Sequence, residues 1–176
     1  GRINTNRMIR DPSAWYHLVA LVDTTNDIAT DRMRLYINGT RETSFYQQVN
    51  PSKDATPVAN LSSSVHRLGS VYNAGTYNNY YYDGYMAETH FVDGYAYGPE
   101  YFGEFEENGI WIPKAYEGSY GTNGFYIDGR DSSDLGDDES GQSNDYTTSG
   151  LAAHDQVLDS PTNNYAVLNP VDTHRR

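Results

Sequence analysis

A pair of carboxylates on one surface is enough to cleave a glycoside, so the acids are read first. The retaining form of that reaction needs a nucleophile and an acid/base about 5–5.5 Å apart. Glu88 sits in Asp83-Gly-Tyr-Met-Ala-Glu-Thr-His-Phe-Val92, which reads as a strand. No second acid stands at i±2 or i±4 from it. Asp83 and Asp93 lie at odd spacing and fall on the opposite face. Glu104, Glu106 and Glu107 are close together, but in a Gly-flanked connector, and read as solvated acids. The expectation is no catalytic residue and no enzymatic activity.

His17 and His90 lie on expected strands, and either could ligate a metal. Neither has a second His or a carboxylate at metal spacing, which favours core or cross-strand histidines. Asp131, Asp134, Asp137, Asp138 and Asp145, with Asn144, place hard oxygens in a Gly-rich stretch. Their spacing is not that of an EF-hand loop. They form either a divalent-cation site or a solvated acidic turn. Asp23, Asp27 and Asp31 are a weaker second group.

Tyr72, Tyr77, Tyr80, Tyr81, Tyr82 and Tyr85 fall within fourteen residues. Tyrosine offers a flat, rigid, hydrogen-bonding surface at low entropy cost. Tyr77, Tyr80, Tyr81, Tyr82 and Tyr85 are the candidate ligand-binding residues. The same rings would equally suit packing against an adjacent subunit.

Composition narrows the classes. The chain has 176 residues, 37% hydrophobic, with 17 Tyr and no Cys. Disulfides, thiolate metal sites and a cysteine nucleophile are excluded. A cysteine-free domain is more natural for a bacterial or viral protein than for a secreted animal one. No apolar run reaches the roughly 18 residues of a membrane span. The opening Gly1-Arg-Ile-Asn-Thr-Asn-Arg-Met8 has no apolar stretch of the signal-peptide kind and no initiator Met, so a longer reading frame is expected. Residues 1–70 hold 8 Lys/Arg and 6 Asp/Glu, a balance of +2, and residues 71–176 hold 4 and 18, a balance of −14; the sum is the net −12. That acidic half argues against nucleic acid and suits solubility or divalent cations.

The elements that must position these groups read as strands. No segment has apolar residues at i, i+3, i+4, i+7 over three turns. Gly, Asn, Asp and Ser punctuate the chain every ten residues or so, as in an all-β sandwich. Residues 15–23 (Trp-Tyr-His-Leu-Val-Ala-Leu-Val-Asp) are apolar on both faces, as a covered central strand would be. Residues 32–38 alternate, with Met33, Leu35 and Ile37 facing inward. Asn38-Gly39 is a hairpin turn and residues 41–46 its return strand. Residues 47–64 read as a loop, 66–71 as a short strand, 73–82 as a Tyr/Asn loop and 83–92 as a strand.

Three segments in this order carry a resemblance: Trp15-Tyr-His-Leu18, Arg32-Met-Arg-Leu-Tyr-Ile-Asn-Gly-Thr40, and the run with Gly84, Met86, Glu88, Phe91, Ala96 and Glu100-Tyr-Phe102. Together they resemble the second half of a laminin-G-like domain of the concanavalin A-like lectin/glucanase superfamily. Phe125-Tyr-Ile-Asp-Gly-Arg-Asp-Ser-Ser-Asp134 resembles the opening of such a jelly roll. The wider set adds Phe-Gly-Glu-Phe-Glu, Pro-Lys-x-Tyr-x-Gly-x-Tyr-Gly-Thr-Asn-Gly-Phe-Tyr and Leu-Asp-Ser-Pro-Thr-Asn-Asn-Tyr. It is similar to virion proteins of environmental bacteriophages.

The resemblance implies an all-β antiparallel sandwich of jelly-roll type, only part of which lies in this chain. Residues 1–105 would be the C-terminal part of the sandwich and 106–124 a connector. Residues 125–176 would begin a second lectin-like unit or form a docked extended tail, with 157–170 as its end. The implied function is a non-enzymatic virion structural protein on a tail fibre or appendage. Its partners would be other virion proteins, further copies of itself and host surface glycan, with no nucleic acid and no membrane. Calcium is the implied cofactor, at the Asp131–Asp145 carboxylates. The alternative is a secreted bacterial carbohydrate-binding module.

Overall fold

The computed structural model describes residues 1–61, 63–70, 81–157 and 160–161. Nine strands run through them: β1 (Arg2–Thr5), β2 (Leu18–Val22), β3 (Met33–Ile37), β4 (Thr40–Arg41), β5 (Phe45–Val49), β6 (Thr89–Phe91), β7 (Gly103–Phe105), β8 (Trp111–Pro113) and β9 (Phe125–Ile127). Helix is confined, among the described residues, to single 3₁₀ turns such as Ala29–Asp31 and Pro99–Tyr101. The described residues are all-β, and their strands pair as four small antiparallel sheets: β1 with β5, β2–β3–β4, β6 with β9, and β7 with β8.

The hairpin forms where the sequence places it. Asn38 (φ 47°) and Gly39 (φ 71°) both adopt the positive φ that the tight turn demands. Asn38 also pairs back to His17, donating its amide to the His17 carbonyl at 2.9 Å and accepting the His17 amide on Oδ1 at 2.8 Å. The register Leu18↔Ile37, Ala20↔Leu35, Val22↔Met33 puts six apolar side chains on one face of the sheet. Ile37 is buried, but Leu18 is 57% and Val22 41% exposed. Strand β2 is thus the edge of its sheet rather than a central strand covered on both faces, because β3 is its only strand partner among the described residues.

Other expected strands are shorter than the alternation suggested. The return strand is cut to Thr40–Arg41 because the Glu42 carboxylate accepts the Thr43 and Ser44 amides and the Arg7 Nε–H at 2.7 Å. The chain then turns into β5, which pairs with β1, a strand that sequence reading left unassigned. In the 83–92 segment only Thr89–Phe91 is strand. Glu88 has φ 51°, a left-handed conformation that breaks the two-residue alternation. Of the expected strand at 66–71, a single bridge joins Ser70 to Tyr81. The 106–124 connector contains strand β8, which closes a hairpin on β7.

Trp111 joins the two hairpins. Its indole lies against Gly39 and Gly103, where a Cβ would collide with the ring. It meets Phe105 edge-on at 4.9 Å and donates Nε1–H to His17 Nδ1 at 3.1 Å, across 94 residues of sequence. Among the described residues the buried hydrophobic side chains are few, namely Leu21, Ile37, Tyr120, Phe125 and Ile127, and none is fully enclosed.

Candidate functional site

The β6–β9 ribbon separates two aromatic layers. Register pairs His90 with Tyr126 and Phe91 with Phe125, and alternation sends the two pairs to opposite faces. On one face the Phe91 and Phe125 rings stack at 5.5 Å, and Tyr146 meets Phe125 edge-on at 4.9 Å. On the other, His90 stacks on Tyr126 at 4.2 Å with the planes 7° apart. Tyr116 meets Tyr120 edge-on at 5.0 Å and stacks on Phe102 at 5.0 Å. Tyr97 touches Tyr116 at 6.1 Å, stacks on Tyr101 at 4.1 Å, and lies nearly parallel to Tyr95 at 5.2 Å. Rings therefore run without a gap from Tyr126 to the exposed Tyr95.

His90 Nδ1 lies 2.8 Å from the Tyr120 hydroxyl. Burial, with a smaller contribution from nearby His17, pushes the imidazole down to about 4. Burial pushes the Tyr120 hydroxyl well above its ordinary value, helped by the charges that Tyr126 and Tyr116 would carry. Both groups are neutral at pH 7. Their hydrogen bond ties strand β6 to the segment that carries Tyr116 and Tyr120.

Two clefts flank the segment 114–118. One, of about 330 Å³, is lined by Glu88, His90, Tyr116, Tyr126, Arg130 and Glu139 among others. The second, about 570 Å³ and more open, is lined by Glu100, Tyr101, Glu117 and Gly118. Lys114, Ala115 and Tyr116 line both. The Tyr126 hydroxyl is raised above its ordinary value first by burial, then by the nearby charges of Glu88 and Asp128.

The acidic loop folds on Asp138. This buried carboxylate accepts the amides of Tyr126 (2.8 Å), Ser140 (2.9 Å) and Asn144 (2.9 Å) and the Ser140 hydroxyl (2.9 Å). Burial works against its charge, but these donors outweigh burial and hold the carboxyl below its ordinary value. Asp145 accepts the Asp138 amide at 3.1 Å. Asp131 accepts the Ser133 amide and hydroxyl, and Asp134 the Gly136 amide. These four side chains serve as turn acceptors; Asp137 is exposed at the surface. Among the described residues, no group of three or more His, Asp or Glu side chains is placed to hold one metal ion.

Of the candidate ligand tyrosines, Tyr81, Tyr82 and Tyr85 are exposed at 73%, 57% and 61%. Tyr82 folds over the Gly84 turn and donates its hydroxyl to the Tyr85 carbonyl at 3.1 Å. Tyr77 and Tyr80, with Tyr72, lie outside the described residues, as does most of the 157–170 tail. Sequence reading missed the cluster of Tyr116, Tyr120 and Tyr126 around His90. Its one signal was the tyrosine spacing inside a segment read as a connector.

No family model matches the chain, and neither a curated protein nor a solved structure does.

Proposed function

We propose that this chain is a non-enzymatic structural protein of a bacteriophage virion, carried on a tail fibre or similar appendage. Its strands are the part of a laminin-G-like β-sandwich that neighbouring polypeptide completes. It binds other virion proteins and further copies of itself, and it contacts glycan on the host surface.

The motif order along the chain motivates the reading, and one structural observation carries it. The apolar face shared by β2 and β3 leaves Leu18, Ala20 and Val22 exposed. Scattered exposed apolar residues are ordinary, but a contiguous row on an edge strand marks a surface that something covers. The small buried core points the same way. The lack of a carboxylate pair at strand spacing supports a non-catalytic role.

Mass spectrometry of purified particles tests the reading. Co-purification with capsid and tail proteins supports it, and absence from particles sinks it. The second reading, a secreted bacterial carbohydrate-binding module, is favoured by the exposed Tyr81, Tyr82 and Tyr85. Recovery of the chain from culture supernatant as free protein would select it. Calcium at the acidic loop belongs to the same proposal. Calorimetric titration of calcium chloride into the chelator-treated protein checks it, and a flat titration removes it.

A further inference from the structure

The clefts beside residues 114–118 have a chemistry that narrows what they take. Tyr95 and Tyr101, the ends of the Tyr95–Tyr97–Tyr101 stack, are 50% and 43% exposed, and Tyr101 lines the larger cleft. Their free faces are carbon-rich and flat, and their hydroxyls are polar, which suits a ligand with one apolar and one polar side. Glu100, Glu117 and Lys114 line the larger cleft with Tyr101, and Glu88, Glu139, Arg130 and Lys114 line the smaller one beside Tyr116 and Tyr126, the glutamates as acceptors and the cations as donors. Among the described residues, Arg130 is ion-paired to Asp128, and no ion pair engages the four glutamates or Lys114.

Charge then selects. Four carboxylates against two cations repel a carboxylated or sulfated ligand. Lys114 lines both clefts and places a donor in each. Carboxylate acceptors and cationic donors beside tyrosine faces suit an uncharged polyhydroxy chain. Volumes of about 330 and 570 Å³ lie in the range of small-ligand sites, about 300–1,000 Å³. Lys114, Ala115 and Tyr116 border both, which sets the two clefts side by side.

We propose that these clefts and the Tyr95–Tyr97–Tyr101 stack form one groove that binds a neutral oligosaccharide. This rests on the glycan contact proposed above and gives it a place separate from Tyr81, Tyr82 and Tyr85.

The test is calorimetric titration of the full chain with cellohexaose, maltohexaose and laminarihexaose. Hexamers of galacturonic acid and of hyaluronan serve as acidic probes. At least one neutral hexamer is expected to bind, and Tyr101→Ala should weaken it about tenfold, the scale of one lost ring contact. Tyr101→Phe, which keeps the ring, should hold affinity within about threefold, and its unchanged melting curve guards against misfolding. Glu117→Gln should weaken binding while leaving the stack intact. Three results would overturn the groove: no neutral hexamer binds, an acidic hexamer binds better, or Tyr101→Ala changes nothing. Loss on Tyr81→Ser with Tyr82→Ser, while Tyr101→Ala binds normally, would overturn the groove and keep the glycan contact. Particle mass spectrometry decides the virion reading independently of all these outcomes.

Discussion

His90 Nδ1 and the Tyr120 hydroxyl sit 2.8 Å apart with their rings within 7° of parallel, although thirty residues separate them in the chain. The contact ties the ribbon β6–β9 to the segment that carries Tyr116, with Nδ1 accepting the hydroxyl proton or donating to the hydroxyl oxygen according to its protonation.

The first expected outcome is a pH dependence of stability. The His90 pKa in the folded state, about 4, lies below the ordinary 6.5 of the unfolded chain. The unfolded chain therefore takes up a proton first. Stability should fall as pH drops from 6.5 toward 4, by about 1.4 kcal/mol per pH unit for one proton. His17, also lowered by burial, adds to the slope. Thermal melts from pH 8 to 4 check this, and His90→Gln should flatten part of the decline while lowering stability throughout. A melting temperature independent of pH over that range would refute it.

Asp138 governs the next window down. Its folded pKa is below the ordinary 3.8, so its contribution is present above pH 3.8 and is lost as pH falls through the lower folded value. Asp138→Ala strands the Tyr126 and Asn144 amides and should cost on the order of 3 kcal/mol. Chemical denaturation of the variant at pH 7 measures it.

Gly103 has no room for a side chain. A Cβ there would sit 2.5 Å from the Trp111 ring and 2.7 Å from the Ile112 carbonyl. Gly103→Ala should destabilise by about 1–3 kcal/mol, as overpacking does. Tryptophan fluorescence should shift as Trp111 leaves Phe105 and His17. An unshifted spectrum and an unchanged melt would show that the indole does not bridge the two hairpins.

Leu18→Lys combined with Val22→Lys charges the exposed edge of β2. Surface changes usually move stability within about 0.5 kcal/mol, so the isolated chain should melt as before. Sedimentation should show loss of self-association or of incorporation into particles. Unaltered assembly would assign the covering surface to another part of the chain.

Part of the strand layout, chiefly the β2–β3–β4 hairpins, was legible in local patterning. The alternation at 32–38 and the Asn38-Gly39 pair specify the hairpin because Asn and Gly readily take the positive φ that a two-residue type I′ turn needs at both positions. The absence of helical period and the spacing of turn residues point to an all-β chain for the same local reason. The acidic loop was legible as a cluster of acceptors. That Asp138 would be its buried centre was not, since the amides it accepts come from Tyr126, Ser140 and Asn144, and only the folded loop brings them together.

What the sequence determined by itself is therefore local: strand class, the hairpin turn, the charge asymmetry and the lack of a carboxylate pair at strand spacing. Tertiary structure decided the rest. It ended the 83–92 alternation at Glu88 by a positive φ and turned Glu42 inward to stop the return strand. It carried Phe125–Ile127 past the 106–124 segment onto Thr89–Phe91 and gathered His90, Tyr116, Tyr120 and Tyr126 into one stack. Pairings across thirty or more residues depend on which distant surfaces fit one another, and side-chain period within a single strand carries no record of the partner.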